Sequence, residues 1–310
     1  MRRDTSSVIS QLDPAISSLL TSASTAQVDI TYPSLSSRLS EAAPKPSIHA
    51  EVGNYRLRLA ESVEDRDAVC RLRFRVFNIE LGEGLDSSYE TGLDTDGFDL
   101  FCEHLLVEDK TTRRIVGTYR MQSGETAARH LGYYSEQEFS FAPYEALRPE
   151  ILELGRASID REHRTPEVLT LLWRGIAQYA TDKGLRYLIG CSSLTSKDPA
   201  EGWQMYRQLA PYRCAPEFET EVTPAYACPS ETKDRQTQTP AQPEGQSLQA
   251  EAQNTVKVPK LLRTYMTIGA RIAAPPAWDR EFGTIDFLTL LDLRLISPSA
   301  RNRFLAPLTQ

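Results

Sequence analysis

The chain has 310 residues, of which 40% are hydrophobic and 25% charged, and its formal net charge is −7 at pH 7. This composition is typical of a globular protein, and the acidic balance excludes a general nucleic-acid-binding surface. The five cysteines are scattered and form no C-x-x-C pair, which indicates a reducing compartment and neither a disulfide framework nor a metal site.

The first 50 residues are rich in Ser, Ala, Thr and Pro, so we predict that segment 1–50 is disordered. Asp13 and Pro14 interrupt the apolar stretch near the N-terminus, which argues against a signal peptide. No apolar run reaches the length of a transmembrane helix. We therefore expect a cytoplasmic protein.

The predicted domain, 53–310, begins with a strand and a helix. Alternating residues predict a strand at Tyr55–Ala60, and a helix is predicted from Val63 to Leu81. The apolar stripe of this helix is Val69, Leu72, Val76 and Ile79. "HLLVED" and "RIVGTYRMQ" then form a predicted hairpin, and "ILELGRASI" forms a further strand.

The next helix carries clear end signals. Thr165 is placed to cap its N-terminus, Pro166 occupies its first position, and Gly184 ends it. The strand "RYLIGC" and the helix "DPAEGWQMYRQLA" follow. The order of these elements predicts an α/β fold with a mixed sheet.

The C-terminal part is interrupted by a biased segment. Residues 229–255 are rich in Gln, Pro, Glu and Ser, which predicts a flexible insertion. After it, "PKLLRTYMTIGARI" predicts a helix, and "TIDFLTLLDL" predicts the last strand.

Two charged residues lie inside the apolar strand "ILELGRASI". Strict alternation would place Glu153 and Arg156 on opposite faces of the sheet. Gly155 lies between them, and a bulge at this point would re-aim one side chain and expose backbone N–H groups. A carboxylate on a partly desolvated strand has a raised pKa and can accept an ammonium proton near neutral pH, so Glu153 is the candidate base.

Several motifs in one order carry a family resemblance. "RLRFRVFNIEL", "LDTDGFD", "EHLLVED", "IVGTYRM", "ELGRASI" and "LLWRGIAQY…RYLIGCSSL" resemble the acyl-transferring branch of the GNAT fold, and most closely the bacterial ornithine-acyl carrier protein N-acyltransferases. The resemblance implies a mostly antiparallel central sheet flanked by helices. It also implies transfer of a (3-hydroxy)fatty acyl group from acyl carrier protein to an amino acid's α-amine, with ornithine giving a lyso-ornithine lipid. Acyl carrier protein would bring the co-substrate, and no cofactor is expected.

The resemblance also implies roles for single residues. Glu153 and Arg156 would be catalytic, at the split in the sheet where GNAT proteins bind the acyl carbonyl. Four residues would bind the amino acid: Arg75, Asp96, Asp99 and Arg120. A guanidinium suits its carboxylate, and an aspartate pair suits its ammonium groups. His104 is an alternative base, although a structural histidine is the simpler interpretation.

The donor side is predicted from "DREHRTPEV". It keeps Arg161 and Arg164 but lacks the glycines of a pyrophosphate-binding turn, which favours the single phosphate of a phosphopantetheine arm at the helix that begins after Thr165. Lys260, Arg263 and Arg271 fall within roughly 80° of each other on one helical projection. This basic face is predicted to bind acyl carrier protein or, peripherally, an anionic membrane at the inner face.

Two other functions fit the sequence. One is a signal synthase like the acyl-homoserine-lactone makers, which resemble this chain, although the first helix region has Phe74 and Phe77 but no nearby Trp. The other is a GNAT-like domain that binds acyl carrier protein or lipid without catalysis.

Overall fold

Nine strands form one sheet in the computed structural model, which describes residues 46–229 and 255–306. The strand bounds are β1 His49–Val52, β2 Tyr55–Leu59, β3 Glu103–Asp109, β4 Ile115–Ser123, β5 Ile151–Ile159, β6 Tyr187–Leu194, β7 Arg271–Ile272, β8 Ala277–Asp279 and β9 Thr284–Asp292. Their order is β1-β2-β3-β4-β5-β6-β9-β7, and β8 also pairs with β9. Every pairing between these strands is antiparallel except β5–β6. The predicted fold class is confirmed.

Seven α-helices flank this sheet in the described part of the chain. They are α1 Val63–Phe74, α2 Ser88–Thr91, α3 Gly124–Arg129, α4 Pro166–Asp182, α5 Pro199–Gln208, α6 Lys260–Ile268 and α7 Pro298–Phe304. The end signals of α4 are confirmed, because the Thr165 side chain accepts from the Val168 N–H and Gly184 adopts a φ of 66°. Helix α4 packs so closely on the sheet that a Cβ at Gly175 would lie 2.8 Å from Leu57.

The predicted helix from Val63 to Leu81 changes type halfway. After α1 it continues as a π-helix over Arg75–Leu81 and ends at Gly82, whose φ is 67°. The wider turn shifts the side-chain register. Asn78 is therefore buried and donates to the Leu85 carbonyl, whereas Ile79, assigned to the apolar stripe, is 62% exposed.

The predicted C-terminal helix is shorter than expected. Helix α6 ends at Gly269, whose φ of 118° stops the helical run, and Arg271 lies on strand β7. The prediction that Arg271 shares a helical face with Lys260 and Arg263 is therefore wrong.

The two biased segments lie almost wholly outside the described residues. Strand β1 begins at His49, so it includes the last two residues of the predicted segment 1–50. Of the insertion 229–255, the structure describes only the first and the last residue. Among residues 46–229 and 255–306, no helix combines the length and apolar character needed to cross a membrane.

Candidate active site

Strands β5 and β6 separate after a short parallel pairing. They pair only from Ile151–Tyr187 to Glu153–Ile189, while β6 continues along β9. At the point of separation the backbones are so close that a Cβ on Gly190 would overlap the carbonyl oxygen of Leu154. Beyond it lies a cavity of ≈ 530 Å³ between the two strands, called here the β5–β6 cavity.

A bulge in β5 forms one edge of this cavity. Arg156 and Ala157 together face the single residue Tyr119 of β4, and Arg156 has a φ of 51°. A bulge turns the side chain away from strict alternation, and Glu153 and Arg156 both line the β5–β6 cavity. The predicted split is present, and the predicted bulge lies one residue after Gly155, at Arg156 and Ala157.

Glu153 is held by a 3₁₀ turn, Tyr134–Gln137. Its Oε2 accepts from the N–H of Tyr134 at 2.8 Å, and its Oε1 accepts from the N–H and the hydroxyl of Ser135 at 2.8 and 2.6 Å. Burial raises the pKa of Glu153, against the opposing effect of these donors. A carboxylate offers about four acceptor positions, so one position on Oε2 is left for a substrate proton.

A buried network of three arginines and three aspartates lies beside Glu153. Its members are Arg73, Arg120, Arg156, Asp94, Asp96 and Asp99. Arg73 binds Asp94 and grips both oxygens of Asp99 at 2.8 and 2.9 Å. Arg120 binds Asp96 at 2.6 Å and Asp99 at 3.2 Å. Arg156 lies 3.6 Å from Asp94 and donates to Asp96 at 3.1 Å.

The two aspartates predicted to bind the substrate ammonium contact these arginines. Asp96 and Asp99 also form the capping box of the 3₁₀ turn Gly97–Leu100. Burial acts to raise the pKa of Asp99, but the charges of Arg73 and Arg120 outweigh it and hold the pKa well below its usual range. Both carboxylates are therefore already matched by cations.

Arg120 and Arg156 are brought together as predicted, but Arg75 is not. The Arg75 side chain is 44% exposed, and its guanidinium lies 3.9 Å from Asp160. Arg73, two residues earlier, occupies the buried position instead. The prediction that placed Arg75 with the other substrate-binding residues is not supported by its location, and Arg73 was missed.

The cavity also involves acids that the sequence did not predict. Glu83, Asp279 and Asp286 line the β5–β6 cavity, and Glu138 lies beside Asp286. We call these four residues the acid set. Burial raises the pKa of Glu138 well above its ordinary value and, together with the neighbouring acids Asp279 and Glu83, raises that of Asp286 to about 7.

Part of the cavity lining is apolar. It includes Leu169 and Trp173 of α4 and Leu262 and Tyr265 of α6, and the Trp173 and Tyr265 rings pack edge to face with their centroids 5.7 Å apart. The hydroxyls of Tyr265 and Tyr119 are hydrogen-bonded at 2.7 Å, so they do not break the apolar surface with an unpaired group. A long acyl chain fits a channel of this character.

The predicted donor-binding residues are only partly brought together. Arg164 and Lys260 line the cavity, although Arg164 also binds both oxygens of Glu80 at 2.6 and 2.7 Å. The hydroxyl of Thr165 is used to cap α4. Arg161 and Arg263 are exposed and do not line the cavity.

His104 lies outside the β5–β6 cavity and is buried. Burial lowers the pKa of His104 to about 4 although Asp99 opposes the shift. Its position favours the structural interpretation over a role as base.

Among residues 46–229 and 255–306, two groups of side chains have ligand atoms close enough to hold a metal ion. One is Glu138, Cys191 and Asp286, and the other is Asp160, Glu162 and His163. That the chain uses no metal stays a prediction.

Known proteins provide an independent comparison. A family model described as an acetyltransferase (GNAT) domain matches residues 72–174. The L-ornithine N(alpha)-acyltransferase of Agrobacterium fabrum is 31% identical over 275 residues, covering 85% of this chain and 89% of that protein. The enzyme of the same name from Brucella abortus is 30% identical over 264 residues, covering 81% of this chain and 88% of that protein.

Solved structures show weaker likenesses. The AHL synthase LasI has a TM-score of 0.45 and 10% identity, covering 84% of this chain and 98% of that one. FeeM, an N-acyl amino acid synthase from uncultured soil microbes, has a TM-score of 0.45 and 12% identity, covering 82% of this chain and 97% of that one. At such low TM-scores neither likeness bears on the function.

Proposed function

The chain belongs to the L-ornithine N(alpha)-acyltransferase family, and we propose that it transfers a (3-hydroxy)fatty acyl group from acyl carrier protein to the α-amine of ornithine. The product would be a lyso-ornithine lipid. The observation that carries the proposal is the β5–β6 cavity, whose lining combines the charged residues Glu153 and Arg156 with apolar residues of α4 and α6. A cavity of this kind can hold an amino acid and a fatty thioester end to end.

Glu153 is proposed as the base. The α-ammonium of ornithine gives a proton to Glu153, and the freed lone pair attacks the thioester carbonyl. A C–N bond forms, and the nitrogen of the tetrahedral intermediate still carries one excess proton. As the intermediate collapses, the C–S bond breaks and this proton passes to the leaving thiolate, while the proton held by Glu153 is released to solvent. The raised pKa of Glu153, caused by burial, supports this role because a base is most effective when its pKa lies near the working pH.

Arg156 is proposed to bind charged oxygen atoms at the point of attack. Its Nε is buried without a hydrogen-bond partner among the described residues. Its guanidinium is stacked 4.1 Å above the Phe282 ring, which fixes its orientation. An oriented guanidinium with a free N–H suits a carboxylate or a developing oxyanion.

The acyl donor is proposed to approach over the N-terminus of α4. This end begins with Thr165 and Pro166 rather than a glycine-rich turn. A pantetheine arm with one phosphate needs less close backbone approach than a pyrophosphate. Lys260, which lines the cavity, and the exposed Arg263 would contact the acidic carrier protein, and Arg161 and Arg164 near the N-terminus of α4 would contact the phosphate of the arm.

Mass spectrometry of lipid extracts tests the proposal. The wild-type chain is expressed in a host that makes no aminolipids, beside Glu153→Gln and the exposed control Glu125→Gln. We expect a new acyl-ornithine mass with the wild type and the control and none with Glu153→Gln. Folded wild-type protein that makes no such lipid when ornithine is supplied would favour another acceptor or a non-catalytic binding domain. Purified protein assayed with acyl carrier protein and coenzyme A thioesters identifies the donor.

A further inference from the structure

The acid set has no counter-charge in the described residues. Glu138 is 0% exposed, Asp279 2%, Asp286 4% and Glu83 9%. Within residues 46–229 and 255–306, none of these four carboxylates forms an ion pair with Lys, Arg or His. The three aspartates of the arginine–aspartate network are each matched by an arginine. Buried carboxylates without a cation are costly to ionise, so the pKa values of Glu138 and Asp286 are raised, and a positive group bound beside them would favour their ionised form.

Unpartnered oxygen atoms point to where that group would bind. In the described part of the chain, both carboxylate oxygens of Glu138 and Oδ1 of Asp286 are buried and accept from no N–H or hydroxyl group, and the groups in contact with Glu138 are the Cys191 thiol and the Asp286 carboxyl. Asp286 lines the β5–β6 cavity. One Glu138 oxygen, one Asp286 oxygen and the Cys191 sulfur lie within 4.8 Å of one another. A single ammonium group has three N–H donors and can satisfy such a cluster.

This cluster is connected to the proposed base. The Cys191 thiol donates to the Ser135 hydroxyl at 3.5 Å, and that hydroxyl donates to Glu153 at 2.6 Å. An amino acid with its α-amine at Glu153 would therefore extend its side chain toward Asp286 and Glu138. Ornithine has a second ammonium at the end of its short side chain.

We propose that Asp286 and Glu138 bind the side-chain ammonium of a diamino acid and thereby select ornithine over amino acids without a terminal amine. This inference rests on the proposed function, because it assigns the specificity of the same site. Asp279 and Glu83 contribute negative potential around the bound ammonium.

The test compares ornithine with norvaline, which has the same carbon chain and no side-chain amine. Full-length wild type, Asp286→Asn and Glu138→Gln are assayed with acyl carrier protein thioester, and kcat/KM is measured for both amino acids. Glu108→Gln is the matched control, since Glu108 is also buried but pairs with Arg113 and Arg58 and does not line the β5–β6 cavity.

We expect the wild type to prefer ornithine over norvaline by at least ~100-fold in kcat/KM. Norvaline has no side-chain amine, so its binding would leave the buried carboxylates without a hydrogen-bond donor. Either variant should lower kcat/KM for ornithine by ~10–100-fold, the loss of a hydrogen bond to a charged group. Their values for norvaline should stay close to wild type, which a folding defect would not allow. The control should keep the wild-type preference.

Three outcomes would overturn the inference. An unchanged preference for ornithine in both variants would show that Asp286 and Glu138 do not recognise the substrate side chain. A stoichiometric metal ion in the purified protein, lost together in both variants, would show that the missing cation is a metal. Wild type that acylates norvaline as well as ornithine would remove the selectivity itself. Wild type that acylates no amino acid would instead refute the proposed function.

Discussion

Replacement of Arg73 by methionine should destabilise the fold strongly. Arg73 is 0% exposed, and its guanidinium holds Asp94 at 2.6 Å and Asp99 at 2.8 Å. Methionine fills similar space but leaves two buried carboxylates that only Arg120 and Arg156 still neutralise. Removing one partner of a buried ion pair costs about 3–5 kcal/mol. We expect the lower end, about 3 kcal/mol, since two arginines remain; this corresponds to roughly 6–12 °C in Tm.

The unfolding free energy lost in Arg73→Met should become smaller as the pH falls. In the wild type the pKa of Asp99 is held low by Arg73 and Arg120. This stabilisation is complete above the unfolded pKa of Asp and is lost as pH falls through the lower folded pKa. In Arg73→Met we expect burial to dominate and to raise the pKa of Asp99 in the folded state. Protonation of Asp99 at lower pH then removes the unfavourable buried charge and stabilises the variant. The difference in unfolding free energy should therefore shrink between pH 7 and pH 5.

Urea unfolding at pH 7 and pH 5 measures both effects. Arg71→Met is the control, because Arg71 lies on the same helix but is exposed and pairs with Asp67 only at the surface. The control should lose no more than about 0.5 kcal/mol. A loss below about 1 kcal/mol for Arg73→Met, or a difference between wild type and variant that is the same at both pH values, would refute the proposed role of the buried network.

Three further predictions concern the cavity. Burial raises the pKa of Glu153. The apparent pKa of the acid limb in a plot of kcat against pH should therefore lie above the ordinary pKa range of a glutamate. Glu153→Gln should lower kcat by ~10²–10⁴-fold, and a pH profile with the same limb in the variant would contradict this. Gly190→Ala should cost about 1–3 kcal/mol in thermal unfolding, because its Cβ would overlap a β5 carbonyl oxygen. Gly155→Ala, whose nearest contact is 4.0 Å away, should be tolerated better. Lys260→Glu should raise KM for the acyl carrier protein thioester, with the largest increase at low salt. Arg271→Glu on β7 is the control and should leave this KM unchanged. Equal increases in the two variants would argue against docking of the carrier protein at Lys260.

Elements with strong local signals were predicted well. The strands with alternating or continuous apolar residues and the capped helix α4 lie where the sequence places them, since periodicity and caps act over a few residues. The short strands β7 and β8 were missed because pairing with β9 defines them. Helix α6 ends at Gly269, so the basic face that included Arg271 could not form.

The site residues show the same division between local and long-range information. The helical repeat could have identified Arg73, because it lies about 40° from the buried Val69 on the helix surface, whereas Arg75 lies on the other side. Asp286 interrupts an apolar strand just as Glu153 does, and that signal was overlooked. The meeting of Asp286 with Glu138 joins residues far apart in the chain, which no local pattern reports.

The charges around the cavity match a substrate with three charged groups. The arginine–aspartate network pairs three cations with three carboxylates. Arg156 is the member of this network with a buried, unpartnered Nε–H, and it stacks on Phe282 from the loop that follows Asp279. In the proposed complex, Arg156 would bind the α-carboxylate, Glu153 the α-amine and Asp286 the side-chain amine. On this proposal a neutral side chain would leave the buried acids unmatched, so we expect glycine and norvaline to be poorer substrates than a diamino acid.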